Sequence, residues 1–396
     1  MEQGLGPRLT EIAAGLAFLL PAAPALAQSL DPCRSAAPFA RAADVKSAIE
    51  RHSEAIRAGA GARAYLDRGV CLERLGQTEQ ALQDINTALR MDASSADGYR
   101  DRARVQARLG NMEQALADLG EAIRIDPASP LGWQGRAEIE ARLGRHREAA
   151  SDFGEVVRRS PGNVVARHGR ASSLTILGEP ERAIEDLDEV LRLDPRYVSA
   201  LLARGEAHAR AGRHERALED YGAYIAANPD DAYARFRRGL SHARIKRDPE
   251  AIAEFSEAIR LDVRLLSAYI ERGRAYARLG QGERAVLDFS EAAELAPRFA
   301  PAHNELAWLL ATSPADAVRN GKKALEHARK AGELSSWSNA GFIDTFAAAL
   351  AEAGEYAEAA KWQERALELP GFSAQAREQG LARLQLYRAG KPYRSP

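Results

Sequence analysis

This chain repeats itself, and that constrains its fold more than anything else in it. "RGVCLERLGQTEQALQDI" (Arg68–Ile85), "RARVQARLGNMEQALADL" (Arg102–Leu119), "RASSLTILGEPERAIEDL" (Arg170–Leu187) and "RGRAYARLGQGERAVLDF" (Arg272–Phe289) are near-copies spaced at multiples of 34 residues. Such a period marks one supersecondary unit used many times, and it overrides the two or three globular domains that 396 residues would suggest. With Ala62 as repeat position one, units begin at Ala62, Ala96, Pro130, Val164, Val198, Ala232 and Leu266 without a gap.

Each unit carries two apolar runs at three-to-four spacing, the mark of two amphipathic helices. Alanine, leucine, glutamate and arginine dominate and aromatics make up only 6%, which favours helix over strand. Gly76, Gly110, Gly144, Gly178, Gly212 and Gly280 separate the runs, where a positive φ ends the first helix. In the sixth unit Lys246 takes that place, with Pro249 suited to the first turn of the next helix. Pro127, Pro161, Pro195, Pro229 and Pro297 stop the second helices. Ala81, Ala115, Ala149, Ala183, Ala217, Ala251 and Ala285 share one position, where a small side chain lets two helices approach; Phe153, Tyr221, Phe255 and Phe289 fill the space beside them. One unit cannot bury its own apolar face, so the units must stack.

Period, helix-turn-helix content and this small-then-aromatic pattern resemble the tetratricopeptide repeat over roughly residues 45–370. The resemblance implies an all-α fold, an α-solenoid superhelix of stacked helix-turn-helix repeats with right-handed winding. The expected organisation is a signal peptide (1–27), an N-terminal segment with an orphan capping helix (28–61), seven regular units (62–299), two irregular helical pairs (300–372), and a capping helix with a tail (373–396).

Two charge ladders run through the units. Position seven is Arg68, Arg102, Arg136, Arg170, Arg204, Arg238 and Arg272; position twenty-three is Asp84, Asp118, Asp152, Asp186, Asp220, Glu254 and Asp288. An acidic partner for every arginine points to bidentate pairs that set packing register rather than to a row of ligand-binding arginines. Position thirteen carries Arg74, Arg108, Arg142, Arg210, Arg244 and Arg278, with Ile176 the exception. No single acidic position matches this set, so its guanidinium groups are expected to be free. They complement the helix dipole at a C-terminus, and they could also form a basic strip for acidic or carboxylate-bearing peptides. The resemblance places positions two, five, nine and thirteen along the concave groove. There Leu202, Tyr233, Phe236, Leu240 and Ile270 offer an apolar contact zone, whereas Arg100, Arg104, Gln134 and Glu138 make the earlier units more polar. The family's carboxylate clamp needs asparagine at position nine; Val70, Arg104, Glu138, Ser172, Glu206, Leu240 and Arg274 stand there instead, so that mode of recognition is not expected.

At the N-terminus, Arg8 precedes an apolar run from Ile12 to Leu20, then Pro21, Pro24 and Ala25-Leu26-Ala27, the pattern of an export signal cleaved after Ala27. The run is too short to span a bilayer, and no integral span is expected after its removal. Export makes a disulfide between Cys33 and Cys71 possible without demanding one, because a small thiol within a helix is also an ordinary packing residue.

Charge is balanced, 55 basic against 56 acidic residues, so no basic excess advertises nucleic acid. Chemistry-bearing motifs are scarce: His214-Glu215-Arg216-Ala217-Leu218 lacks the second histidine of a zinc motif, and "GAGARA" (Gly59–Ala64) joins two helices rather than a strand to a helix. His208 and His242 share a position but lack evident further ligands. We therefore expect no catalytic residues, no metal and no cofactor. The expected protein is an exported (periplasmic or secreted), non-enzymatic scaffold that holds a protein or peptide in its groove. The alternative is a structural subunit of an envelope assembly, bound through its convex face or its ends.

Overall fold

The computed structural model describes Cys33 and residues 42–395, so the export-signal reading over residues 1–27 lies outside the described residues. The described residues form twenty helices and no strand. They fall into two compact units, one ending at Ala211 and one beginning at Gly212.

The N-terminal unit opens with α1 (Ala42–Arg57). Four hairpins follow: α2 (Ala62–Arg74) with α3 (Thr78–Met91), α4 (Ala96–Arg108) with α5 (Met112–Ile125), α6 (Pro130–Arg142) with α7 (His146–Arg159), and α8 (Val164–Ile176) with α9 (Pro180–Leu193). It closes with α10 (Val198–Arg210). The C-terminal unit starts with α11 (His214–Ala227). Its hairpins are α12 (Ala232–Arg244) with α13 (Asp248–Leu261), α14 (Leu266–Arg278) with α15 (Gly282–Leu295), α16 (Ala300–Thr312) with α17 (Gly321–Leu334), and α18 (Ala340–Glu352) with α19 (Tyr356–Glu368). Helix α20 (Ala374–Arg388) and an extended segment complete it. Within each unit the hairpins stack as a solenoid.

Local chemistry sets these boundaries. Ser95 Oγ accepts from Gly98 N (3.1 Å), Asn163 Oδ1 from Ala166 N (2.9 Å) and Asp231 Oδ1 from Ala234 N (3.0 Å), N-caps each worth about 1 kcal/mol. The inter-helix glycines have the positive φ their place requires, 75° at Gly76 and 71° at Gly280. Lys246 adopts the same left-handed backbone at φ 60°, a conformation that costs a side-chain-bearing residue roughly 1–2 kcal/mol.

The alanines of the second helices are fully buried, and Tyr221, Phe255 and Phe289 beside them are at most 2% exposed. Glycines that pattern reading did not single out receive the aromatic rings. A Cβ on Gly239 would lie 2.7 Å from the Phe255 ring, and one on Gly273 would lie 2.7 Å from Phe289. At the N-terminal end Cys33 and Cys71 form a disulfide, buried among Val45, Ala48 and Val70. It ties the segment before α1 to α2, a pairing that the spacing of two cysteines had left open.

The last hairpins replace the arginine ladder with apolar packing. Leu306 and Phe346 occupy position seven of α16 and α18, and both are buried. Trp337, Phe346 and Trp362 form an aromatic cluster with ring centroids 4.7–5.0 Å apart.

Candidate functional site

In each unit the first helices of successive hairpins touch one another: α2, α4, α6, α8 and α10 in the N-terminal unit, and α12, α14 and α16 in the C-terminal one. Within each unit the second helices show no comparable backbone approach to one another among the described residues. The first helices therefore line the inner face of each stack, where their side chains converge.

The position-seven arginines belong to packing. Arg68, Arg102, Arg136, Arg170 and Arg272 each donate through Nε and Nη2 to the two oxygens of the aspartate sixteen residues on, at 2.5–3.0 Å. Arg238 donates to Glu254 at 2.5 Å. The remaining guanidinium nitrogen reaches the preceding repeat: Arg102 to Asn86 (3.0 Å), Arg272 to Ser256 (3.0 Å) and Arg204 to Asp188 (2.7 Å). Each of these three residues lies sixteen positions back. The ladder thus stitches a hairpin to itself and to its neighbour, which fixes register in both directions. Aromatic rings at position four (Tyr65, Tyr99, Trp133 and Tyr269) support four of these guanidinium groups at 5.1–5.8 Å. The carboxylates hold Arg68, Arg102, Arg136 and Arg170 above the usual arginine range, chiefly through these hydrogen bonds.

All six position-thirteen arginines lie in the last turn of their helix, where they oppose the C-terminal partial negative charge. The expectation that they are free is corrected for two. Arg108 sits 2.9 Å from Glu73 Oε1 and donates to the Glu73 carbonyl at 3.2 Å. Arg278 grips Asp248 with contacts at 2.6 and 3.0 Å. Glu73 and Asp248 hold different repeat positions, twelve and seventeen, so no periodic acidic partner could be read from the sequence. Arg142, Arg210 and Arg244 stay exposed, with no carboxylate at ion-pair distance among the described residues; Arg74 is also exposed.

The apolar set divides as well. On α12, Tyr233 is 42% exposed, and Phe236 and Leu240 are half-buried. The Phe236 ring lies 5.8 Å from that of Phe255. Leu202 on α10 is half-buried. Ile270 is a correction: at 3% exposure it belongs to the core of the C-terminal hairpins and is no groove contact.

The N-terminal inner face is polar and internally paired. Arg104 bridges Glu73 (2.9 Å) and Asp101 (3.0 Å), and Gln134 links Glu138 (2.9 Å) to Asn163 (3.2 Å). Burial pushes the Glu138 carboxyl up, against the opposing hydrogen bond from Gln134. Nearby, burial and the Asp152 charge bring Glu140 up to about 7. Further along the C-terminal face, Arg274 joins Glu271 (2.7 Å) to Glu305 (2.6 Å). Among the described residues no group of three or more histidine, cysteine or carboxylate side chains could hold a metal, and no helix is long and apolar enough to cross a membrane.

Sequence comparison matches the tetratricopeptide repeat to residues 39–96, 73–130, 100–164, 169–227 and 202–262, and a second description of the same repeat to 266–299. No curated protein matches significantly. Among solved structures, the C-terminal part of a repeat protein from Cytophaga hutchinsonii is 15% identical at TM-score 0.50, covering 60% of this chain and 98% of that one. A tetratricopeptide repeat protein from Parabacteroides merdae is 18% identical at TM-score 0.48, covering 66% and 97%. PilF of Pseudomonas aeruginosa is 19% identical at TM-score 0.46, covering 57% and 99%.

Proposed function

Because the chain belongs to the tetratricopeptide repeat family, whose members bind proteins or peptides, we propose that it is a non-enzymatic scaffold holding an extended peptide or protein segment against its first-helix face. One observation carries this reading. On α12, Tyr233, Phe236 and Leu240 keep apolar surface open at positions two, five and nine, and unpaired Arg244 closes the row at position thirteen. An apolar strip ending in a cation suits a peptide that brings an apolar side chain and a carboxylate. Exposed Arg142 and Arg210 support the same preference in the N-terminal unit.

The proposed site of action is an exported compartment, periplasmic or secreted. Two features support it: the charged, apolar and small-residue succession over residues 1–27, and the Cys33–Cys71 disulfide, a bond that persists in oxidising surroundings.

The test is affinity capture from an envelope fraction, comparing the chain with a folded Phe236→Ala, Leu240→Ala, Arg244→Glu variant. Partners lost with the variant support the groove. Partners retained equally move the interface to the outer face or the ends of the stack.

A further inference from the structure

The inner face of the last two hairpins is already occupied, and the occupant belongs to this chain. After α20 the backbone turns at Gly390 (φ 66°) and runs without regular structure from Lys391 to Ser395. It crosses the ends of the first helices. The Tyr393 ring lies 5.9 Å from Trp308, and the Arg383 guanidinium stands 5.4 Å from each of these two rings. Arg394 Nη1 reaches Glu352 Oε2 at 2.6 Å, while Arg319 Nε donates to the other oxygen at 3.1 Å. Ser395 N donates to the Thr312 carbonyl at 2.8 Å, and the two hydroxyls lie 2.8 Å apart.

The receiving residues are the groove residues. Trp308 is position nine and Thr312 position thirteen of α16; Glu352 is position thirteen of α18. Six of the seven regular units place arginine at position thirteen, so the charge that a ligand meets changes from cationic there to anionic at Glu352. The docked segment matches that change: an aromatic ring beside a tryptophan and an arginine, then an arginine on a carboxylate, then a hydroxyl on a threonine. One backbone hydrogen bond joins it to α16, and Tyr393, Arg394 and Ser395 keep part of their surface in solvent, as expected of a contact with low local opening cost.

We propose that the segment Lys391–Ser395 is a built-in occupant of the C-terminal groove, displaced by partners that present an extended aromatic–arginine–hydroxyl sequence. This rests on the groove-binding reading above and adds the ligand class for one end of it. Release of the strap is part of the binding step, so the intact chain binds such a peptide more weakly than a chain without the strap. A short tether presents its ligand at about millimolar effective concentration. Against a peptide of roughly 100 µM intrinsic affinity, that weakens apparent binding about tenfold.

The test uses a fluorescein-labelled peptide of sequence AGKPYRSP, residues 389–396, and fluorescence anisotropy. Three proteins are compared: the full chain, the chain truncated after Gly390, and the full-length Tyr393→Ala, Arg394→Ala variant, which keeps the helix end intact should truncation disturb folding. The expected result is saturable binding to both altered chains, about tenfold tighter than to the full chain and lost with Glu352→Lys. A peptide carrying Arg394→Glu should not bind. Absence of binding to folded altered chains up to 1 mM, or equal binding to all three, overturns the proposal. So does a dimer of the full chain that disappears on truncation, which would assign the groove to the segment of a second copy. These readouts concern only the α16–α20 surface, so their failure leaves the capture result at Phe236, Leu240 and Arg244 standing on its own.

Discussion

Gly239→Ala and Gly120→Ala are the same substitution within a helix, and the structure gives them opposite signs. Alanine is favoured over glycine by about 0.8–1 kcal/mol in a helix interior. At Gly120 on α5 nothing lies within 4 Å of the new methyl, so the full propensity gain should appear as added stability. At Gly239 on α12 the methyl meets Phe255 at 2.7 and 2.8 Å and the Glu254 Cβ at 3.2 Å. Phe255 is 0% exposed and closed in on every side, so either the ring leaves its rotamer or α12 moves away from α13. Such overpacking costs roughly 1–3 kcal/mol. With two ring atoms under 3.0 Å and no space for the ring to move into, the cost lies in the upper half of that range, about 2–3 kcal/mol, so net of propensity Gly239→Ala should lose about 1–2 kcal/mol in its own hairpin. A stacked array does not have to unfold in one step, so the suitable assay is native-state amide exchange read locally. Protection in α12 and α13 should fall about 5–30-fold, while α5 amides in Gly120→Ala should gain up to about fivefold. Unchanged or increased protection in Gly239→Ala would refute the claim that glycine is there to admit the ring.

Four further outcomes follow from the same contacts. Lys246→Gly should raise the urea midpoint by the equivalent of about 0.5–1 kcal/mol, the left-handed strain relieved less the added chain entropy of glycine. Arg102→Met strands the buried Asp118 carboxylate and should cost roughly 2–4 kcal/mol by exchange in α4 and α5, whereas Arg102→Met with Asp118→Leu should recover most of that loss. Glu140 sits at about 7 against an ordinary 4.5, so between those values the folded chain binds more protons than the unfolded one. Stability should therefore fall as pH rises through that window, and Glu140→Gln should flatten the fall in melts at pH 4 and pH 8. Reducing the Cys33–Cys71 disulfide should cost about 2–4 kcal/mol, confined in exchange to α1 and α2.

The stack itself was legible in the sequence. The 34-residue period, the glycines between helices, the buried alanines and the ladder of arginines with their aspartates all rest on contacts made within a hairpin or between adjacent ones. Such contacts recur at constant sequence spacing, so a periodic pattern carries them in full. What broke the period escaped that reading. Arg108 and Arg278 found Glu73 and Asp248 because carboxylates at unrelated repeat positions happened to lie beside them in the stack. Ile270 holds a groove position and is nonetheless sealed in the core, since the packing around each residue, not its place in the repeat, decides how much solvent reaches it. The docking of Tyr393, Arg394 and Ser395 on Trp308, Glu352 and Thr312 joins residues 42 to 85 positions apart that no repeat relates, and only the folded chain brings them together.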